Sequence, residues 1–207
     1  MDDLPEFQAR ELAALVEDLS ALEPQQWRSA TLCADWDVEE VVAHLGAAAT
    51  LSRWAWFRSM IGARFDGDVH NRRRLEEFRG STPEETFERF RRVGPIATPV
   101  KPSPAGLGEV IVHAEDIRLP LGIKHAPDAE GLLAVARFFA TKNFAVNSKT
   151  VAAGLALRAT DAGFAEGTGP EVAGPLLSLV MVMAGRPTFL AHLSGDGAAE
   201  LRTRLGA

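Results

Sequence analysis

The chain has little cysteine and no excess of positive charge. Cys33 is the single cysteine among 207 residues, so neither an intrachain disulfide nor a four-cysteine zinc site can form. Such sparse use of cysteine is typical of proteins of the reducing cytosol. The net charge of -6 and the pI near 5.4 argue against a protein that binds nucleic acid through its phosphates.

Long hydrophobic runs are also missing from the sequence. The longest apolar stretch, residues 175–185, is far shorter than the roughly 20 residues that span a bilayer. The chain starts with the acidic residues Asp2 and Asp3 after Met1, where a secretory signal needs a positive start. We therefore expect a cytoplasmic protein that binds neither membranes nor nucleic acid. Its 46% apolar and 24% charged residues are ordinary values for a folded globular chain.

The first two thirds of the chain are predicted to be helical. Apolar residues at helical spacing predict a first helix over residues 3–22, and Asp37 with Glu40 forms a capping box that starts a second. We expect the second helix to run past Trp54, Trp56 and Phe57 to about residue 61. A polar stretch over 64–80 follows without a predicted helix. Further helices are predicted from the cap at Thr82, over 107–119 and over 128–147, with a proline-rich linker over 94–106.

The pattern changes after residue 151. An alternating segment over 154–160 predicts a strand, and the glycine-rich segment 164–173 has room for one or two more. Helices are predicted over 175–184 and 198–205. The expected fold is mainly α: an up-and-down helical bundle over residues 1–148, then a small α/β domain over 149–207. Functional sites in such a bundle are built from side chains on facing helices.

Ionisable residues follow one face of the helix predicted over 107–119. Glu109 and His113 lie four positions apart, and Asp116 lies three further on. Burying such groups without partners would cost several kcal/mol, and a divalent cation would remove that cost. Together with His44, Glu109 and His113 supply the two imidazoles and one carboxylate of an open zinc site. Iron, nickel, cobalt and manganese accept the same ligands.

Spacing alone also fits a less specific interpretation. Glu109 and His113 would make an ordinary exposed pair on a helix surface. Glu40 and His44 have the same spacing, although Glu40 is accounted for by the capping box. Cys33 has no histidine near it in the sequence, so we interpret it as a structural residue and not as a catalytic thiol. His70, His125 and His192 lie in polar or turn contexts and are expected at the surface.

Three motifs resemble a known family. The first comprises Trp27, Ser29, Cys33, Trp36, Asp37, Val38, Val41, Val42, Ala43, His44 and Leu45. It resembles the N-terminal signature of the mycothiol-dependent maleylpyruvate isomerase family, which belongs to the DinB-like superfamily of metal-binding four-helix bundles. The segment from Glu109 to Gly122 is similar to the metal-binding helix of that family. A weaker match over 169–197, which includes Arg186, is similar to its small C-terminal α/β domain.

The resemblance implies a DinB-like four-helix bundle whose metal ligands are His44, Glu109 and His113. The bound ion would be a divalent metal, with zinc as the first candidate. Asp116 would orient an imidazole, and Arg186 would reach an anionic group of the substrate. For both residues, a plain role at a helix end is the alternative.

The resemblance also implies a function: a metal-dependent enzyme that uses a small thiol, mycothiol, to isomerise or transfer sulfur to an electrophilic substrate. Its partners would be that thiol and that substrate, and a homodimer is compatible with the sequence. A non-catalytic module that binds metal or a small ligand is the main alternative. A metal-dependent hydrolase is a third reading, for which Asp116 or Glu115 would have to act as the base.

Overall fold

The computed structural model describes residues 3–33, 35–50, 67–93, 103–144 and 146–207. The chain divides into two compact units, Met1–His125 and Ala126–Ala207. The first unit is helical and the second contains a small sheet, which confirms the predicted fold class. Among the described helices, none is long and apolar enough to cross a lipid bilayer.

The helices of the first unit begin largely where the sequence predicts. They are α1 (Leu4–Ser20), a short 3-10 helix (Pro24–Arg28), α2 (Val38–Thr50), α3 (Gly67–Phe78), α4 (Pro83–Phe90) and α5 (Pro104–Leu121). The capping box is formed, with Glu40 N–H donating to Asp37 at 2.9 Å and Asp37 N–H donating to Glu40 at 3.0 Å. Trp54, Trp56, Phe57 and residues 94–102 of the predicted linker lie outside the described residues.

One hydrophobic core joins the helices of the first unit. Helix α2 packs against α3, α4 and α5, while α1 packs against α5. The buried core residues come from α1, the short 3-10 helix, α2, α4 and α5: Leu12, Leu15, Leu19, Trp27, Val38, Val41, Val42, Leu45, Phe90, Val110, Ala114 and Ile117. This core fixes α2 beside α5, the two helices that carry the candidate ligands.

Helix α3 corrects the sequence prediction, which left the polar stretch 64–80 without a helix. Leu75 and His70 are buried on its inner face, and Phe78 is half-buried. Three inward residues are too few to produce a clear helical pattern among so many charges. The helix approaches α2 closely at Gly46, because a β-carbon there would lie 2.2 Å from the ring of Phe78.

The second unit surrounds a three-stranded sheet. It contains α6 (Ala129–Thr141), α7 (Ser148–Ala152), β1 (Ala156–Ala159), β2 (Ala165–Glu166), β3 (Glu171–Gly174), α8 (Leu176–Met183) and α9 (Ala198–Arg204). Strand β1 is central, antiparallel to β2 and parallel to β3. Helix α8 packs against β1 and β3, as expected for the predicted buried helix.

Helix α6 belongs to the second compact unit. The sequence predicts a boundary after residue 148, whereas the compact units divide between His125 and Ala126. The physical reason is packing, because α6 lies against α7 and α8. Leu132, Val135 and Phe139 are buried on that helix. Helical character alone did not reveal which unit the helix would join.

Candidate metal centre

Two helices position the predicted metal ligands. Helix α2 starts at the Asp37 capping box, which places His44 two turns inside the helix, next to the core residue Leu45. Helix α5 starts at Ser103, whose hydroxyl accepts the Gly106 N–H at 3.3 Å, and it carries Glu109 and His113. Because α2 packs against α5, the three side chains meet although 65 residues separate His44 from Glu109.

The three side chains converge on one point. Oε1 of Glu109 lies 2.9 Å from Nε2 of His44 and 3.5 Å from Nε2 of His113. Each residue offers a donor atom within 4.8 Å of the other two. Metal bonds of 2.0–2.2 Å in a tetrahedral zinc site place neighbouring donors about 3.3 Å apart, so these donors fit a metal with little movement. Both histidines are buried, and 24% of the Glu109 side chain is exposed to solvent.

Asp116 holds the opposite side of one imidazole. Its fully buried carboxylate lies 2.9 Å from Nδ1 of His113. An ionised carboxylate only accepts hydrogen bonds, so the ring proton belongs on Nδ1. Nε2, which faces Glu109, then has the free electron pair that a metal ligand needs.

Charges within the cluster shift two pKa values strongly. Burial by itself would lower the pKa of His113, but hydrogen bonds to Asp116, Cys33 and Glu109 raise it well above 6.5. Burial would likewise raise the pKa of Glu109, but hydrogen bonds with His113 and His44 hold it well below 4.5. The metal-free cluster therefore consists of a carboxylate stabilised by imidazole groups.

Sequence reasoning missed the position of Cys33. Its Sγ atom lies 3.7 Å from Nδ1 of His113 and donates a hydrogen bond to Asp116 at 3.5 Å. Cys33, His113 and Asp116 form a second group of possible metal ligands with donor atoms within 4.8 Å. A histidine thus lies beside the cysteine in space, although 80 positions separate them. No spacing rule reveals such a contact; the one clue was that Cys33 belongs to the same motif as Trp36 and His44.

Aromatic residues of the N-terminal motif have separate roles. The Trp36 ring lies 4.9 Å from that of His44 and 6.3 Å from that of His113, so it walls the centre. Trp27 is buried against Phe87, at 5.6 Å between ring centroids, and belongs to the core.

Two histidines expected at the surface are in fact packed into the first unit. His70 is buried on α3. Its pKa is lowered mainly by this burial and further by the nearby arginines and His44. His125 is half-buried, and its Nε2 lies 2.9 Å from the buried carboxylate of Glu11. The sequence missed both because their partners come from distant segments. His192 is exposed as predicted.

The remaining site candidates lie elsewhere. Glu115 is buried beside Arg118, whose Nη1 lies 3.5 Å from it, so it faces an ion pair and not the three ligands. Arg186 lies in the second unit, half-buried between α8 and a 3-10 helix (Pro187–His192). Its Nη1 donates to the Ala184 carbonyl at 2.7 Å.

A helical bundle with two imidazoles and a carboxylate on facing helices offers the donor set of an open metal site. Residues 8–98 match the family model of the mycothiol maleylpyruvate isomerase N-terminal domain. This match confirms the family resemblance of the sequence over that region. The matched segment contains His44 and ends before Glu109 and His113.

Solved structures show the same fold over nearly the whole chain. One is the crystal structure of the mycothiol-dependent maleylpyruvate isomerase, and the other is a variant of it with one histidine changed to alanine. Each has 14% sequence identity and a TM-score of 0.61, and the alignment covers 95% of this chain and 93% of that chain. No protein with curated annotation is significantly similar in sequence.

Proposed function

We propose that this protein is a metal-dependent enzyme that uses a low-molecular-weight thiol, mycothiol, on a small electrophilic substrate. The reaction is isomerisation or sulfur transfer. The observation that carries the proposal is the convergence of His44, Glu109 and His113 on one point between α2 and α5. The match of residues 8–98 to the mycothiol maleylpyruvate isomerase N-terminal domain supports the choice of thiol.

The proposed roles follow from the contacts. Nε2 of His44, Nε2 of His113 and Oε1 of Glu109 hold a divalent metal, for which zinc suits the donor set. Asp116 keeps the proton of His113 on Nδ1. Trp36 covers the imidazoles and limits the access of water. Arg186 is proposed to bind an anionic group of the substrate, as a guanidinium does for carboxylates.

When bound, the metal would lower the pKa of an incoming thiol and fix its sulfur as a thiolate. The protein's own thiol is unsuited to that task, because Cys33 lies on the Nδ1 side of His113 and not on the Nε2 side. A sulfur nucleophile supplied from outside then forms a carbon–sulfur bond to an activated double bond. Rotation and elimination would return the thiol and give the isomer, whereas uptake of a proton from water at the neighbouring carbon would retain the carbon–sulfur bond and give the thioether product of sulfur transfer.

The location and partners of the protein follow from this chemistry. A small-molecule thiol stays reduced in the cytosol, which is the compartment we propose. The partners are then the thiol and the electrophile.

Turnover assays with controlled metal content test the proposal. The zinc-loaded protein, incubated with mycothiol and a panel of cis-alkenoic acids and other electrophiles, should convert at least one in a thiol-dependent manner. His44→Ala and His113→Ala should lose both zinc and activity, whereas His192→Ala, an exposed histidine, should retain both.

Other outcomes would identify the alternatives. Tight zinc binding without turnover of any electrophile would favour a non-catalytic module. Turnover by the zinc protein without thiol would favour a hydrolase. Unchanged zinc stoichiometry in both histidine variants would reject the proposed centre.

A further inference from the structure

We propose that Cys33 is a positioning residue for His113, and that it acts through the carboxylate of Asp116. This inference rests on the proposed role of His113 as a metal ligand. It assigns a function to a thiol that the proposed reaction does not use. A chain of contacts runs from the loop thiol to the buried carboxylate and on to the imidazole.

The thiol of Cys33 is in contact with the carboxylate of Asp116. Cys33 Sγ donates to Oδ2 of Asp116 at 3.5 Å, and the same oxygen lies 2.9 Å from Nδ1 of His113. Two donors therefore meet at one carboxylate oxygen, and Asp116 is completely buried. Held from both sides, this oxygen fixes the plane of the imidazole and directs its Nε2 toward Glu109.

The loop that carries Cys33 is attached to helix α5 by its backbone. The Leu32 N–H donates to the carbonyl of Asp116 at 3.1 Å, so the loop is bound to helix α5 at the same residue. Within the loop, the Thr31 hydroxyl accepts the Cys33 N–H at 3.1 Å and donates to the Trp36 carbonyl at 2.8 Å. These bonds hold the thiol in place without help from the metal.

Both ligand histidines, His44 and His113, are in contact with this one loop. Trp36 lies three residues after Cys33 and packs its ring 4.9 Å from that of His44. The loop between the first 3-10 helix and α2 thus contacts one imidazole by its thiol and the other by its indole. We infer that this loop sets the geometry of the two imidazoles before metal binds.

Zinc affinity in single and double variants tests the inference. With the full chain and a competing chromophoric chelator, Asp116→Asn should weaken zinc binding about 10–100-fold, the usual cost of losing an outer-shell partner. Cys33→Ala should weaken it less, roughly threefold to tenfold, because a thiol is a weaker donor. Cys33→Ser, which keeps a donor, should recover part of the loss. Gln25→Ala, exposed in the preceding 3-10 helix, should have no effect.

The double variant and an NMR signal separate positioning from general stability. If Cys33 acts through Asp116, adding Cys33→Ala to Asp116→Asn should cause no further loss. The Nδ1 proton of His113 should give a far-downfield resonance in the zinc-loaded wild type, and it should move in Cys33→Ala. Additive losses, or an unmoved resonance with wild-type affinity, would overturn the inference.

Three further outcomes distinguish the possible failures. An intense sulfur-to-cobalt absorption in the cobalt-loaded protein, absent from Cys33→Ser, would make Cys33 a ligand and overturn its positioning role. Wild-type zinc binding by His44→Ala and His113→Ala would reject the proposed centre itself. Loss of zinc in those variants, with no change in Cys33→Ala, would reject the role of Cys33 alone.

Discussion

His113 and Asp116 are joined at 2.9 Å, one turn apart on helix α5. A single helix thus supplies both an imidazole ligand and the carboxylate that orients it. This local arrangement forms as soon as the helix does, because residues three apart lie on the same face. The ligand His44, in contrast, arrives only when α2 packs against α5.

Removing the negative charge of Asp116 should make His113 a weaker ligand for zinc. With Asp116→Asn, the carboxamide still accepts a hydrogen bond but no longer stabilises positive charge on the ring. In the presence of zinc, we expect the wild type to gain more thermal stability than the variant does. Differential scanning fluorimetry with and without zinc measures this, with Asp196→Asn, an exposed aspartate, as the matched control. Equal zinc-dependent shifts in both variants would contradict the expectation.

The metal-free protein should show a stability contribution from the cluster that is largest at mildly acidic pH. The lowered pKa of Glu109 contributes fully above its ordinary value of 4.5 and is lost as pH falls through the lowered pKa. The raised pKa of His113 contributes fully below 6.5 and is lost as pH rises through the raised pKa. The contribution should therefore be largest between 4.5 and 6.5.

Urea unfolding across pH 3–9 measures this contribution as the difference in unfolding free energy between the metal-free wild type and His113→Gln. That difference should peak in the window and shrink on both sides. A difference that does not vary with pH would be inconsistent with this electrostatic origin. Added zinc should reverse the alkaline trend, because metal ligands bind in their deprotonated forms.

Arg118 is charge-balanced by two carboxylates, those of Asp18 and Glu115. Its side chain is fully buried, and its Nε donates to Asp18 at 2.7 Å. Its Nη2 has no hydrogen-bond partner among the described residues. Asp18→Ala should cost about 3 kcal/mol in unfolding free energy, the lower part of the range for breaking a buried pair, since Asp18 is partly exposed.

The exposed pair of Glu6 and Arg10 provides the control for Asp18. Its N–O distance is 2.8 Å, similar to that of the buried pair, but both side chains are largely exposed. Glu6→Ala should change the unfolding free energy by less than about 1 kcal/mol in the same urea experiment. Equal effects of the two variants would show that burial of Arg118 does not amplify the loss.

Gly46 should resist even the smallest side chain. A β-carbon at this position would lie 2.2 Å from the half-buried ring of Phe78. Alanine improves helix propensity by about 1 kcal/mol, but overpacking costs about 1–3 kcal/mol, so Gly46→Ala should be destabilising overall. Adding Phe78→Leu should recover stability, and Gly163→Ala, where no atom lies within 4 Å, is the control. A thermal melt in which Gly46→Ala is more stable than the wild type would contradict this packing.

The sequence by itself determined the helices that have strong start signals. Asp37 with Glu40 and Thr82 with Glu85 form their predicted caps, because a capping bond joins residues three positions apart. It also placed Glu109, His113 and Asp116 on one face of a helix, for the same local reason. Helix α3 escaped prediction because its burial depends on α2 more than on its own pattern.

Tertiary structure decided the contacts between distant segments. His113 lies beside Cys33, which is 80 positions away in the sequence. The carboxylate of Glu109 contacts His44, which is 65 positions away. Hydrogen bonds of this kind depend on how helices pack, which no local periodicity encodes. The sequence alone showed that Cys33, as the single cysteine, can form neither an intrachain disulfide nor a four-cysteine zinc site. Only the packing of its loop on α5 showed which carboxylate and which imidazole it contacts.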